Sequence, residues 1–112
     1  MPAPLTSRLE DALRAAGLDQ EEVARVVGAN PRTIGRWLRE EAAPRKEARE
    51  RLLEFLAGIE RLSATLRPQP AHDWLFGPNP ALGHEKPADL LKEGRYREVL
   101  GAVDALAEGV FV

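Results

Sequence analysis

A chain of 112 residues holds one domain or two small ones, and neither can build a large core alone. Charged residues make up 30% and hydrophobic residues 44%, which excludes disorder throughout, while the absence of cysteine excludes disulfides, thiol catalysis and thiolate metal sites. The net charge of −2 is unevenly spread: residues 1–67 carry twelve Lys/Arg against eleven Asp/Glu, and residues 68–112 carry four against seven. The front half therefore has a basic surface available and the back half is acidic, but no arm is basic enough to grip nucleic acid on charge alone. No apolar run approaches the roughly 18 residues of a membrane span, and the N-terminus lacks a basic-then-apolar signal pattern. A cytoplasmic protein without membrane contact is expected.

Helical signals recur along the chain and strand signals are nearly absent. Ser7-Arg8-Leu9-Glu10 has the form of a capping box, followed by Leu9, Ala12, Leu13 and Ala16 at helical spacing and a stop at Gly17. Asp19 can cap a second short helix, Gln20 to Val27, ended by Gly28. Asn30-Pro31 is a cap with a first-turn proline, opening a third helix that reaches about Arg39. Pro44 can open a longer helix to about Leu66, whose apolar stripe (Leu52, Leu56, Ile59 and Leu66, widened by Leu53, Phe55 and Leu62) is broad enough to cover the front bundle and a partner subunit.

Pro68-Gln69-Pro70 interrupts this patterning and marks a boundary between residues 1–67 and 68–112. Beyond it come a short segment from Ala71 to Phe76, the turn Gly77-Pro78-Asn79-Pro80, a helix opening at Pro87, and a last helix from about Tyr96 to Ala107. The last helix places Val99, Leu100, Val103 and Leu106 on one face. The chain then ends on Gly109-Val110-Phe111-Val112, an apolar tail where frayed polar residues are usual. Those side chains must pack somewhere, either on their own domain or in another protein.

Gln20 to Trp37 meets several independent requirements of a helix-turn-helix. Val23, Val27, Ile34 and Trp37 fall where two crossed helices share a core, Ala24 is small where they approach, and Gly28 stands at the tight turn. The segment resembles the Xre-type helix-turn-helix, a likeness that extends over roughly residues 5–66. Pro31 to Arg39 is then the recognition helix, presenting Arg32, Thr33, Gly35, Arg36 and Arg39 away from Ile34, Trp37 and Leu38. An arginine there can bridge O6 and N7 of guanine, worth about 1–3 kcal/mol of discrimination. Gly35 would admit the backbone to the groove floor, and Asn30 and Thr33 at the helix start suit phosphate. Arg45, Lys46 and Arg49 are further phosphate candidates. Against this, exposed arginines are often only a solvated face, and Glu40 and Glu41 can pair with Arg36 and Arg39. One such unit binds weakly alone, so a homodimer within a larger complex is expected.

In the back half, Asp73-Trp74-Leu75, Pro78-Asn79-Pro80-Ala81-Leu82-Gly83, Lys86-Pro87-Ala88-Asp89-Leu90-Leu91, Glu98-Val99-Leu100 and the Gly109–Val112 end follow one another in order. Together they resemble the toxin-binding domain of Xre/MbcA/ParS-type antitoxins, over residues 71–112. His84 departs from the pattern, where such proteins often carry a second small residue. The resemblance implies an all-α fold, a helix-turn-helix bundle followed by a small helical domain. It further implies a bacterial antitoxin whose partner is a RES-domain toxin acting on NAD⁺. Carried over by position, Trp74, Asn79 and Leu82 would belong to the toxin-binding surface. Gly109, Val110, Phe111 and Val112 would obstruct the toxin's active site, the Val112 carboxylate meeting cations that hold substrate phosphates. The front half would bind the operator DNA of its own operon and repress it.

An enzyme is not expected. His72 and His84 have neither a paired nucleophile nor metal-ligand spacing, there is no glycine-rich phosphate loop after a strand, and no cofactor is implied. The rival readings are a stand-alone transcriptional regulator whose tail packs internally and a scaffold whose helix-turn-helix only dimerises.

Overall fold

The computed structural model describes residues 4–109. Seven α-helices follow in chain order: α1 (Leu5–Ala15), α2 (Gln20–Val27), α3 (Pro31–Leu38), α4 (Lys46–Ser63), α5 (Pro68–Phe76), α6 (Pro87–Lys92) and α7 (Tyr96–Ala107), with a single 3₁₀ turn at Pro80–Leu82 between α5 and α6. Among the described residues there is no strand, only an isolated antiparallel bridge between Asn79 and Glu85. No described helix is long and apolar enough to cross a membrane.

Local chemistry sets most of the helix ends. Asp19 accepts from the Glu22 amide at 2.8 Å while Glu22 accepts from the Asp19 amide at 3.1 Å, a reciprocal capping box that starts α2. Gly28 ends it at φ +75°, a conformation that a Cβ would strain. Asn30 Oδ1 accepts from the Thr33 amide at 2.9 Å and starts α3, with Pro31 in the first turn.

The front end departs from expectation. Helix α1 begins at Leu5, so Ser7 and Glu10 lie within it, exposed, and form no capping box. Leu5 packs against the core, and its burial draws the helix start back past the serine. Bidentate contacts from Arg8 to Glu60, both 2.8 Å, then fasten α1 to α4. The α4 helix is also shorter than its sequence window, since Arg45 rather than Pro44 is its N-cap and Ser63 its last residue.

The broad stripe of α4 is covered within the chain. Leu52, Phe55, Leu56, Ile59 and Leu62 are each no more than 1% exposed. They pack against α1 and α2 and against α5, α6 and α7, so most of the stripe is covered by the chain itself, while Leu53 stays half-exposed. At about 1.5–3 kcal/mol for each fully buried side chain, this is the largest apolar investment of any one helix.

Pro68-Gln69-Pro70, expected to interrupt the helical patterning, instead begins α5. Prolines in a first turn remove only amides that would lack intrahelical partners anyway. Ala71 and Leu75 of α5, Leu90 and Leu91 of α6, and Val99 and Val103 of α7 join Leu9, Val23 and Ile34 in one continuous hydrophobic cluster. Residue 67 thus marks a turn between helices over a shared core. In α7 the buried face is narrower than the apolar spacing suggests: Val99 and Val103 are buried, whereas Leu100 and Leu106 are half-exposed.

The shared core predicts how the protein unfolds. Leu56→Ala should cost about 2–5 kcal/mol. Trp37 reports on the front half and Trp74 on the back, so single-tryptophan variants should give coincident denaturation transitions, both shifted by the Leu56 change. Two separate transitions would contradict a common core.

Candidate functional site

Two surfaces emerge, at opposite ends of the chain order. On α3, the inner face is fixed by Ile34, fully buried, and Trp37, 6% exposed, as the spacing of the two predicts. Asn30, Arg32, Arg36 and Arg39 are exposed and Thr33 is half-exposed. Asn30 and Thr33 are engaged with each other, Thr33 Oγ1 donating to Asn30 Oδ1 at 3.1 Å.

The three arginines differ. Arg39 forms two contacts with Glu41, at 3.0 and 3.2 Å. Its hydrogen bond holds the Glu41 carboxyl below the usual carboxylate range, helped by the charges of Arg39 and Arg36. The pair is fully exposed, so it steers Arg39 without adding appreciable stability. Arg32 and Arg36 have no ion-pair partner among the described residues. Gly35 corrects an expectation: it is buried, and a Cβ there would lie 3.2 Å from both Gln20 Oε1 and Arg39 Nη1. Its missing side chain admits those two groups over the helix and does not leave open backbone.

The second surface is built by α5, the Asn79 turn and α7. Asn79 Oδ1 accepts from the Ala81 amide at 2.9 Å, its backbone carbonyl accepts from the Leu82 and His84 amides at 2.9 and 2.8 Å, and its amide donates to the Glu85 carbonyl at 3.1 Å. The side chain fixes the turn that follows, as its place between two prolines suggests, and the backbone of the same residue ties the two ends of the loop together. Gly77 is required just before it, because a Cβ would fall 2.9 Å from the Asp73 carbonyl oxygen.

Trp74 is half-buried and forms, with Pro78, Asn79, Ala102, Ala105 and Leu106, the wall of an open groove of about 230 Å³. Leu82 packs on the core from the other side of the loop and borders a second groove, about 590 Å³, shared with Gly101, Ala102 and Ala105. Of the residues expected on the toxin-binding surface, Trp74 and Asn79 thus line one groove and Leu82 the next, and both grooves are bordered by Ala81, Ala102 and Ala105. Sequence reasoning missed the contribution of α7: Gly101, Ala102 and Ala105 leave its outer side thin, and Leu106 borders the groove where it was expected to be buried. The small residues at 101, 102 and 105 were the available signal, since they let a neighbouring chain approach the helix closely.

Helix α7 ends at Ala107 with Glu108 as its cap, and Gly109 follows in the turn, exposed with φ +74°, its amide donating to the Leu106 carbonyl at 3.1 Å. Val110, Phe111 and Val112, the expected obstructing residues, lie outside the described residues. The two surfaces are joined by a contact invisible in sequence, His72 Nε2 on α5 lying 2.7 Å from Glu22 Oε2 on α2, with Phe76 stacked at a tilt 4.8 Å from the imidazole. His84 is exposed at φ +67°. Among the described residues, no group of three or more His, Asp or Glu side chains is placed to hold a metal ion.

Known families match both halves. A helix-turn-helix family matches residues 9–59, and the antitoxin Xre/MbcA/ParS C-terminal toxin-binding domain matches residues 62–109. The fold is thus that of a helix-turn-helix protein continued by a toxin-binding domain. The mycobacterial cidal antitoxin MbcA, from Mycobacterium bovis and from Mycobacterium tuberculosis, is 41% identical over 108 residues, 96% of either chain. A probable mycobacterial cidal antitoxin of M. tuberculosis is 31% identical over 106 residues, covering 95% of this chain and 90% of the relative. A chain in the crystal structure of the M. tuberculosis MbcT–MbcA toxin–antitoxin complex superposes with a TM-score of 0.88 at 40% identity, over 99% of this chain and all of the other. The chain belongs to the Xre/MbcA/ParS antitoxin family.

The Asn79 turn should be a measurable structural element. Asn79→Ala leaves the Ala81 amide without its partner and should cost about 1 kcal/mol, by analogy with loss of a helix cap. Unchanged denaturation would show that the flanking prolines hold the loop unaided.

Proposed function

We propose that this protein is the antitoxin of a type II toxin–antitoxin pair. Residues 68–112 cover a RES-domain toxin that degrades NAD⁺, and residues 1–67 bind operator DNA and repress the operon. The observation that carries this reading is the end-to-end similarity to MbcA, 41% over 96% of both chains, with a backbone like that in the MbcT–MbcA complex. Similarity of this extent runs through both halves of the chain and supports a partner of the same kind.

The groove supports the same reading from physics. Trp74 and Leu106 leave apolar area exposed beside a helix face of small residues, a combination suited to an apolar, shape-matched partner. That face ends at Gly109, so a toxin seated on it receives Val110, Phe111 and Val112 at its edge. For DNA, Arg32 and Arg36 are the two side chains available to read base edges, with Arg39 held toward Glu41. The chain acts as a homodimer within a larger cytoplasmic hetero-oligomer, where avidity strengthens the weak contact of one recognition helix.

Two experiments test the two roles separately. Removal of Val110–Val112 should abolish protection of cells expressing the toxin while leaving operator binding intact; survival of protection would rule out the tail as the obstruction. Arg36→Ala should weaken operator binding by about 1–3 kcal/mol without affecting neutralisation. Unchanged gel-shift affinity at fixed salt would remove Arg36 from the interface.

A further inference from the structure

A cationic groove lies at the end of α2, where the turn into the recognition helix begins, and is built by both halves of the chain. It occupies about 400 Å³ between the α2–α3 turn, the start of α4 and the end of α6, and is bordered by Gly28, Arg45, Glu47, Arg51 and Lys92. Arg45, Arg51 and Lys92 line it beside Glu47, and with Arg51 also paired to Glu54 the groove keeps an excess of one positive charge in a protein whose net charge is −2. Arg45 and Lys92 are exposed and have no ion-pair partner among the described residues.

Arg51 is held in place. Its Nη1 lies 3.4 Å from Glu54 Oε1, and its guanidinium crosses Gly94, where any Cβ would collide with it. Gly94 adopts φ +83°, so the residue there supplies both the turn and the space for the arginine. The groove borders Gly28, which precedes the α3 cap Asn30 by two residues and Arg32 by four. A duplex is lined with phosphates on both sides of the groove that a recognition helix enters, and the turn before that helix is where its N-terminal end would meet them.

We propose that the groove binds phosphates of the DNA backbone, so that the operator-binding surface continues from the helix-turn-helix into the C-terminal half through Lys92. This rests on the DNA-binding reading above. A lysine ammonium suits a phosphate as a point charge, and a positioned arginine can meet it with two donors. Phosphate contacts carry no sequence information, so the groove contributes affinity and register while Arg32 and Arg36 contribute discrimination. The division of labour is therefore incomplete: a residue of the toxin-binding half takes part in holding DNA.

The test uses the full chain with Lys92→Ala, Arg45→Ala, the double variant and Lys92→Arg. Anisotropy titrations over a range of salt use two probes, the promoter fragment directly upstream of the gene and an unrelated duplex of equal length. Each alanine change should reduce the slope of log affinity against log salt by about 0.9, and the double variant by about twice that. The fold-loss should be equal on the two duplexes, and Lys92→Arg should restore binding. Lys92 also ends α6, where a cation suits the helix dipole, but that role would move only the denaturation midpoint and leave the salt slope unchanged. Unchanged slope and affinity in Lys92→Ala, with Arg36→Ala still weakening promoter binding, would overturn the groove and leave the operator reading standing. No effect from Arg36→Ala either would overturn both.

Discussion

Everything in this fold depends on α4 being buried along both sides. A helix with Leu52, Phe55, Leu56, Ile59 and Leu62 all at or below 1% exposure cannot stand at the edge of a bundle. It has to be enclosed, and the front helices supply only part of the enclosure. Helices α5, α6 and α7 supply the rest, so the C-terminal half is packed against the helix-turn-helix as firmly as the helix-turn-helix is packed on itself. Surface ion pairs such as Arg8–Glu60 and Arg61–Asp104 align α1 and α7 on α4 without carrying the stability.

One consequence is mechanical. With a common core, the recognition helix and the groove beside α7 hold fixed positions relative to one another. The contact of His72 with Glu22 sits where that relation is set, since Glu22 also caps α2 through the Asp19 amide. On the proposed reading, a toxin seated on the α7 face therefore orients the DNA-reading helix, and symmetric assembly of such units would set the spacing of operator half-sites.

The sequence made the helices legible because their signals are local. Asp19, Asn30, Pro31, Gly28 and Pro87 act within a few residues of themselves, and each stands at the helix end it suggests. Ser7 misled because the burial of Leu5, a tertiary contact, outweighed a local cap. Pro68-Gln69-Pro70 misled because prolines both break and begin helices, and which they do depends on what Ala71 and Leu75 find to pack against. The breadth of the α4 stripe was visible, but not that its cover came from α7 in the same chain. At the candidate site, the resemblance pointed to Trp74, Asn79 and Leu82, which border the two grooves, whereas Gly101, Ala102 and Ala105 gained meaning only when the fold laid them beside the Asn79 turn. The burial of Gly35 and the His72–Glu22 contact depend on side chains from separate helices, which spacing along one helix does not reveal.

The central claim is that the face formed by Trp74, the Asn79 turn and α7 seats the toxin, with the residues after Gly109 entering its active site. The most direct measurement is an experimental structure of this chain bound to a RES-domain toxin that it neutralises. The account predicts the toxin over that face and Val110–Val112 inside its NAD⁺ cleft. A toxin seated elsewhere, or a cleft left open with the tail outside it, would contradict the account.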